Sequence, residues 1–390
     1  MHFHYDEEQQ LLADSIGRLV EKDYDFEARK RAIASAAGYS DEVWRELADM
    51  GILALPFAES NGGFGKGAMD MIATMEAIGR GLLVEPYLPT VALAGRLVER
   101  VGNQAQRAAI LPGVIDGTRT LAFAHGEPGS RYALAHVEAK AESVSGGWRL
   151  SGTKSMVLNG AAASHIVVSA RTAGAATDAD GISLFLMAAG SQGLKVKTQR
   201  TVDNLRAADL LHDGVVLPAD ALLGAAGQAL AAIEEAVDFA TVLLCAEAAG
   251  AMKYANEATL EYLKTRKQFG LPIGAFQALQ HRMVDMNLSA IQARSIALLS
   301  CSKFDAAGRG EIDATERKRM VSAAKYRVAE AARHVGQEAI QLHGGMGMTQ
   351  EMKVAHTFKR LTMIAQACGD ADHHLERYVA LGQPRPASRG

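Results

Sequence analysis

Two segments near the C-terminal end of the chain combine residue types that suit a bound dinucleotide. The first begins at Arg266 and reads RKQFG, and the second begins at Gln341 and reads QLHGGMGMT. Arginine is a planar donor fork that matches the oxygens of a pyrophosphate. A Gly-Gly step lets a backbone approach a ligand closely with its N–H groups available as donors. Together the two segments predict a dinucleotide site.

Neutral and apolar side chains complete these segments. Gln268 and Gln277 can donate and accept hydrogen bonds, and Phe269 offers a flat apolar surface. Either segment alone would be weak evidence. Their order, and their position on long helical stretches, make the pair informative.

In this order the two segments resemble the R-x-x-F-G and Q-x-x-G-G-x-G motifs of the acyl-CoA dehydrogenase family. In that family both motifs reach across a subunit interface to the FAD of a neighbour. The resemblance therefore implies FAD as the cofactor and an oligomer, formed either by one chain or with a homologous subunit. The residues that it assigns to FAD here are Arg266, Gln268, Phe269, Phe276, Gln277, Gln341, Gly344 and Gly345.

Composition is that of an ordinary soluble globular protein, with 48% hydrophobic and 22% charged residues. The formal net charge of -3 gives no reason to expect a nucleic acid or an anionic membrane as partner. Cys245, Cys301 and Cys368 are far apart and form no C-x-x-C pair, which argues against a disulfide framework or a zinc site and fits the cytoplasm. The polar start and the absence of a long apolar run predict neither a signal peptide nor a membrane span.

Hydrophobic periodicity divides the chain into three predicted domains at 1–120, 121–224 and 225–390. The fold class is α+β multidomain: an N-terminal all-α domain, a middle β-barrel or sandwich, and a C-terminal four-helix bundle. This order matches the family over almost the full length. Helices are expected at 228–265, 275–306, 314–340 and 350–381, and a flexible hairpin loop at 173–181.

Two segments of the β domain resemble the flavin-binding segments of the family. The first reads HGEPGSRY from His125 where the family has T-E-P-x-x-G-S-D, and the second reads GTKSMVLNG from Gly152. Threonine hydroxyls of the family are lost, each worth about 1 kcal/mol if buried and paired, but the backbone N–H groups at 126 and 158 remain donors. An ordinary β-turn is the alternative for the first segment. The residues assigned to the flavin here are Phe123, Gly126, Ser130, Met156 and Leu158.

The reaction of this family removes a proton from Cα of an acyl-CoA while a hydride leaves Cβ. A carboxylate in a dry site must take that proton. By resemblance, the usual base position falls on Cys368 and a rarer one on Ala240, and neither is a carboxylate. Asp370 is the predicted base, and Glu247 on the helix of Ala240 is the alternative.

Each candidate also has a structural interpretation. Asp370 suits a helix N-cap, because aspartate is favoured there. Glu247 would pair with a basic residue of another helix, and Asp238, near Ala240, is expected to be solvated. Cys368 could act as a base only with a strongly lowered thiol pKa. The His-His pair at 373–374 has no ligand partner at i+3 or i+4, so no metal is predicted.

The resemblance implies an FAD-dependent α,β-dehydrogenation of an acyl-CoA thioester to the trans-2-enoyl-CoA, with electrons passed to an electron-transfer flavoprotein. A flavin monooxygenase on the same fold needs no carboxylate, although such proteins usually lack the two intact motifs. A catalytically reduced subunit that completes the flavin site of a homologous subunit would account for the missing base. The sequence DADHHL from Asp370 resembles the smaller subunits of bacterial heteromeric acyl-CoA dehydrogenases.

Overall fold

The structure is a computed structural model and describes residues 5–383. Its α-helices are α1 (Glu7–Lys22), α2 (Phe26–Ala34), α3 (Asp41–Asp49), α4 (Ile72–Gly81), α5 (Arg96–Val101), α6 (Gln104–Ile115), α7 (Leu230–Thr265), α8 (Gln277–Gly308), α9 (Ala314–His343), α10 (Lys353–Gln366) and α11 (Ala371–Gly382). Its β-strands are β1 (Leu121–Ala124), β2 (Lys140–Val144), β3 (Gly147–Leu158), β4 (His165–Arg171), β5 (Ile182–Ala188), β6 (Leu194–Arg200), β7 (Arg206–Pro218), β8 (Leu222–Leu223), β9 (Lys267–Gln268) and β10 (Leu271–Pro272). Within residues 5–383, no helix has the length and apolar character needed to cross a membrane.

This order of elements confirms the predicted fold class. Helices occupy the N- and C-terminal parts and strands occupy the middle, and α7, α8 and α9 lie where the sequence predicted long helices. The expected final helix is instead two helices, α10 and α11, separated at residues 367–370. The predicted domain boundaries stay predictions. The described residues pack as two compact units, the first comprising 5–17, 67–82 and 241–383 and the second 18–66 and 83–240.

The second unit is built on one mixed sheet. Its strands lie in the order β6-β7-β3-β2-β4-β5-β8, with β1 parallel to β4. Alternate side chains on these strands point inward because successive residues of a strand face opposite sides. The resulting core is contributed by residues such as Leu150, Ile166, Phe185, Leu210 and Val215.

The β4–β5 hairpin loop is held by a single buried guanidinium group. Arg171 donates from Nη1 to the carbonyl oxygens of Asp178 at 3.0 Å and Asp180 at 2.7 Å. Its Nη2 donates to Ala176 O and its Nε to Val137 O. The predicted hairpin loop is present, and its carbonyl groups are bound by a planar donor fork that lysine cannot reproduce.

Replacing Arg171 by lysine should lower the free energy of unfolding of the second unit by about 3 kcal/mol, because lysine cannot replace the five hydrogen bonds that the buried guanidinium group donates to carbonyl oxygens. The measurement is urea unfolding followed by the fluorescence of Trp44 and Trp148, which both lie in this unit. Arg149→Lys, at an exposed position on β3, is the matched control. Equal stability of the two variants would contradict the role given to Arg171.

A buried carboxylate, Glu85, lies just before a π-helix at Leu88–Gly95. Its Oε1 accepts the Ser40 amide at 3.3 Å and its Oε2 accepts the Val84 amide at 3.1 Å. Burial raises the pKa of Glu85 to about 7, and these hydrogen bonds offset only part of that effect. The folded protein therefore binds this proton more tightly than the unfolded chain does.

The raised pKa of Glu85 makes stability depend on pH. Since the ordinary pKa is 4.5 and the folded value is about 7, the free energy of unfolding should fall by about 3 kcal/mol as pH rises through this window, and stay low above it. Glu85→Gln should remove that fall, whereas Glu42→Gln, at an exposed position, should keep it. Urea unfolding at a series of pH values measures the slope, and an unchanged slope in Glu85→Gln would refute the assignment.

In the first unit, α9 packs against α8, α10 and α11. Helix α4 meets α7 through two glycines. A Cβ on Gly79 would lie 1.9 Å from the Glu247 carbonyl oxygen, and one on Gly250 would lie 1.8 Å from the Glu76 carbonyl oxygen. The two helix backbones are thus in direct contact, which only glycine at both positions permits.

Candidate functional site

The segment that begins at Arg266 forms an exposed turn at the end of α7. Strands β9 and β10 pair across it, and Phe269 at its tip has a φ of 54°. Phe269 is 88% exposed, and its ring meets that of Phe276 edge-on with centroids 6.1 Å apart. Arg266, Gln268 and the nearby Gln277 are exposed as well. The turn therefore presents the side chains predicted to contact FAD to the outside.

The second segment follows the last turn of α9 and contains an open backbone cradle. Gly344 has a φ of 58°, and no heavy atom lies within 4 Å of the Cβ position of Gly344 or Gly345. Gly347 is different, because a Cβ there would lie 2.7 Å from the Ile340 carbonyl oxygen. Gln341 is exposed on the same turn. One part of the glycine segment is thus required for packing, while the Gly-Gly step faces open space.

Within the first unit, the end of α7 that leads into the first segment contacts the second segment. The ring of Tyr262, near the end of α7, stacks on that of His343 at the end of α9, with centroids 4.5 Å apart. Nδ1 of His343 lies 2.8 Å from the Ala339 carbonyl oxygen, and burial lowers the pKa of His343. Sequence reasoning did not single out either ring, although His343 lies inside the second motif and Tyr262 is one helical turn before Arg266.

The two predicted flavin segments of the β domain are also neighbours. The Ser155 amide donates to the Gly126 carbonyl oxygen at 2.7 Å, which joins the segments directly. Ser130 closes a local turn, because its hydroxyl donates to the Glu127 carbonyl oxygen at 2.9 Å and accepts the Glu127 amide at 3.1 Å. The first segment therefore contains the β-turn that the sequence offered as an alternative, and this turn lies beside the second segment.

A β-bulge in β3 sets the direction of Met156. The register of β3 against β7 shifts between Lys154 and Val157, and Met156 has a φ of 53°. Such bulges re-aim a side chain out of the ladder, and Met156 is accordingly exposed. Leu158 pairs with Ala207 of β7. Phe123, the other apolar side chain assigned to the flavin, is half-buried.

A buried ion pair that the sequence reasoning missed lies beneath these segments. Nζ of Lys154 donates to Glu127 Oε1 at 2.6 Å, and neither side chain is more than 3% exposed. Burial lowers the pKa of Lys154 to about 8, while Glu127 opposes that effect. The signal was available: Lys154 follows Leu150 and Gly152 on the inward face of β3, where alternation predicts an apolar residue.

Cys368, at the usual base position of the family, lies between α10 and α11. It has a φ of 57°, is half-buried, and its carbonyl oxygen lies 3.0 Å from Nε2 of His374. Asp370 is the N-cap of α11, and its Oδ1 accepts the His373 amide at 2.9 Å. The predicted cap is therefore present. The assignment of Asp370 as the base stays a prediction.

Glu247 is paired as the sequence predicted. Its Oε1 accepts Nε of Arg360 at 2.5 Å and its Oε2 accepts Nη2 at 2.8 Å, in a buried two-point ion pair. The expectation that Asp238 is solvated was wrong. Asp238 is buried, because α7 is enclosed here and its neighbours Phe239 and Ala240 are buried too.

A buried lysine supports the loop that carries Cys368. Nζ of Lys325 on α9 donates to the carbonyl oxygen of Gly369 at 2.6 Å and of Ala365 at 3.2 Å. Burial lowers the pKa of Lys325. Sequence reasoning missed this residue, yet Lys325 lies on the buried stripe of α9 that includes Val321 and Val328, where helical spacing calls for apolar side chains.

Comparisons with known proteins identify the family. Profiles of the acyl-CoA dehydrogenase N-terminal, middle and C-terminal domains match residues 6–118, 122–215 and 227–380. The acyl-CoA dehydrogenase FadE12 of Mycobacterium tuberculosis is 29% identical over an alignment of 354 residues that covers 89% of this chain and 89% of its own. The FAD complex of PigA is 25% identical with a TM-score of 0.88 and covers 97% of this chain and 98% of its own. The ChsE4-ChsE5 complex of Mycobacterium tuberculosis contains a chain that is 26% identical with a TM-score of 0.86, covering 98% of this chain and 100% of its own. The chain therefore belongs to the acyl-CoA dehydrogenase family of oxidoreductases.

Proposed function

We propose that this protein binds FAD and oxidises an acyl-CoA thioester to the trans-2-enoyl-CoA, with an electron-transfer flavoprotein as the electron acceptor. The observation that carries the proposal is the Tyr262–His343 ring stack, which places the helix end before the first motif segment against the second segment in one compact unit. Two segments that suit one dinucleotide are thereby adjacent, although helices α8 and α9 separate them in the sequence.

The residues present fit FAD. The open step at Gly344 and Gly345 is a cradle that a Cβ would partly fill, and the exposed Arg266 supplies the charge that a pyrophosphate requires. In the β domain, a Cβ at Gly126 would approach only the Ser155 carbonyl oxygen, at 3.5 Å. The neighbouring Met156 offers an exposed apolar surface for a flat ring. The solved relative PigA forms a complex with FAD.

In the proposed reaction, Asp370 takes the proton from Cα of the thioester. FAD, when bound, supplies the acceptor for the hydride that leaves Cβ. Asp370 is favoured over Glu247 because it is half-buried and lies two residues from the usual base position. Both carboxylate oxygens of Glu247 already accept hydrogen bonds from Arg360.

We further propose that the protein works as an oligomer. Val284, Leu288 and Ile291 recur at helical spacing on α8, and each is about half exposed. The exposed Phe269 turn precedes the N-terminal end of α8 in the chain. An apolar stripe of this kind is costly to leave in water and is typical of an interface. A second subunit on α8 would also cover the exposed FAD motifs.

The first test is the visible absorbance of the chain purified alone, recorded before and after anaerobic addition of acyl-CoA thioesters of several chain lengths. Bleaching of the flavin band by any of them supports the proposed function. A flavin band that every thioester leaves unchanged contradicts a self-sufficient dehydrogenase. A colourless protein that takes up no added FAD contradicts the cofactor assignment for the isolated chain.

Replacing Arg266 by glutamine should weaken FAD binding by a factor of about ten or more, because a charge-assisted hydrogen bond contributes about 1.5–3 kcal/mol. The affinity is measured by titrating the apoprotein with FAD. Lys264→Gln removes an exposed positive charge from the same end of α7 and is the matched control. Equal affinities of the two variants would count against the pyrophosphate role of Arg266.

A second candidate function is a subunit that completes the flavin site of a homologous subunit carrying the base. The observation in its favour is that Cys368 and Ala240 occupy the two base positions, and the similarity to the ChsE4-ChsE5 complex is compatible with it. Purification together with a homologous subunit would distinguish the two functions. Flavin reduction that appears only in the mixed complex would favour this candidate.

A further inference from the structure

The ammonium group of Lys154 has an acceptor for each of its three N–H bonds. These acceptors are Glu127 Oε1 at 2.6 Å, Ser169 Oγ at 2.9 Å and the His125 carbonyl oxygen at 3.2 Å. The carboxylate of Glu127 is in turn held by the amides of Glu138 at 2.6 Å and Ala139 at 3.0 Å. Lys154 is fully buried, so this positive charge is fixed in place and shielded from water.

The contact with His125 connects this charge to the predicted flavin site. The carbonyl group of His125 and the N–H group of Gly126 belong to one peptide unit. Gly126 N–H is one of the two backbone donors assigned to the flavin, and Gly126 O accepts the Ser155 amide from the second flavin segment. An ammonium that binds the oxygen of an amide withdraws electron density from its nitrogen, and low local polarity strengthens such chains of hydrogen bonds.

We infer that Lys154 is a positioning residue that tunes the bound flavin through the His125–Gly126 peptide. The inference rests on the proposed function. The Lys154 ammonium group polarises the peptide and makes Gly126 N–H a stronger donor. Reduced flavin carries more negative charge than oxidised flavin, so a stronger donor and a nearby fixed cation both favour reduction. Lys154 therefore raises the midpoint potential of bound FAD.

The negative charge of Glu127 lowers the midpoint potential of the flavin, whereas the positive charge of Lys154 raises it. The sign of the shift in each variant therefore tests the inference. If the pair serves only to stabilise the fold, Lys154→Met and Glu127→Gln both loosen the same cluster and should shift the midpoint potential alike. If Lys154 tunes the flavin, Lys154→Met lowers the potential, whereas Glu127→Gln raises it when all variants are compared at a pH low enough to keep Lys154 protonated without its partner. Lys195→Met, at an exposed position of β6, removes a positive charge from the same unit and is the control.

The midpoint potential is measured spectroelectrochemically on the full-length protein with FAD bound. We expect Lys154→Met to reduce the equilibrium ratio of reduced to oxidised flavin about tenfold at a fixed potential, which corresponds to about 30 mV for a two-electron couple. Lys154→Arg should retain most of the wild-type midpoint potential. Lys195→Met should have the same midpoint potential as the wild-type protein. Shifts of the same sign in Lys154→Met and Glu127→Gln at that pH, or no shift in Lys154→Met, would overturn the inference.

A second measurement does not depend on the folding of a charge-deleted variant. The Gly126 amide is observed by NMR in wild-type protein labelled with [15N]glycine and assigned with Gly126→Ala, whose Cβ has room in the structure. The amide proton should move downfield when FAD is added, and an unmoved signal would refute the relay. If wild-type protein binds no FAD, the proposed function fails and the inference with it. If FAD binds but the variants do not show the expected shifts in midpoint potential, the inference alone fails.

Discussion

Replacing Asp370 by asparagine slows the reduction of bound flavin by an acyl-CoA by a factor of about 10²–10⁴, if Asp370 is the base that takes the α-proton. Asparagine keeps the cap of α11, because its side-chain oxygen accepts the His373 amide in the same way that Oδ1 of Asp370 does. The variant therefore removes the proton acceptor while the helix and the loop around Cys368 stay in place.

The rate is measured by stopped-flow absorbance of the flavin band under anaerobic conditions. Asp372→Asn, at an exposed position in the first turn of α11, is the matched control and should react at the wild-type rate. A slow Glu247→Gln together with a normal Asp370→Asn would transfer the role to Glu247. If both variants react normally, neither residue is the base.

The second large effect concerns stability. Arg360→Met leaves the carboxylate of Glu247 buried without its partner, and we expect the free energy of unfolding to fall by about 3–5 kcal/mol. The cause is the loss of both N–H donors, at 2.5 Å and 2.8 Å, from a carboxylate that water does not reach. Replacing both residues by methionine should recover most of that loss, because a buried ion pair and an apolar pair of similar volume are close in energy.

Unfolding of the first unit is followed by far-ultraviolet circular dichroism, since its described residues are mostly helical. Arg80→Met is the control, because Arg80 pairs with Glu257 at 2.9 Å on the surface. Exposed pairs of this kind contribute about 1 kcal/mol or less. If Arg360→Met lowers the free energy of unfolding no more than Arg80→Met does, the burial of the Glu247–Arg360 pair is unimportant for stability.

The sequence predicted those features that depend on local pattern. The change from helical to alternating periodicity located the β domain. Long stretches with apolar residues at helical spacing located α7, α8 and α9. The N-cap role of Asp370 and the pairing of Glu247 were also predicted. Aspartate before a helix is a favoured N-cap, and a glutamate among alanines on a buried helix requires a basic partner. In each case the signal lies within one element and its immediate neighbours.

The features that were missed depend on what packs against an element. Asp238 is buried because α7 is enclosed, although aspartate is a residue type that is mostly exposed. Lys154 and Lys325 occupy inward positions that the periodicity assigned to apolar residues, and each is stabilised by oxygen atoms far away in sequence. The left-handed conformation of Met156 arises from the register of β3 against β7. No local pattern encodes these partners.

The contact between Gly79 on α4 and the backbone of α7 has a consequence for attempts to divide the protein. A fragment ending at about residue 120 would keep Gly79 but lose the carbonyl group of Glu247 that it approaches. The face of α4 that α7 covers would then meet water, so such a fragment should associate or be degraded rather than fold independently. Circular permutants that keep α4 and α7 in one polypeptide avoid this exposure, so permutation rather than truncation is the way to move the chain ends of this protein.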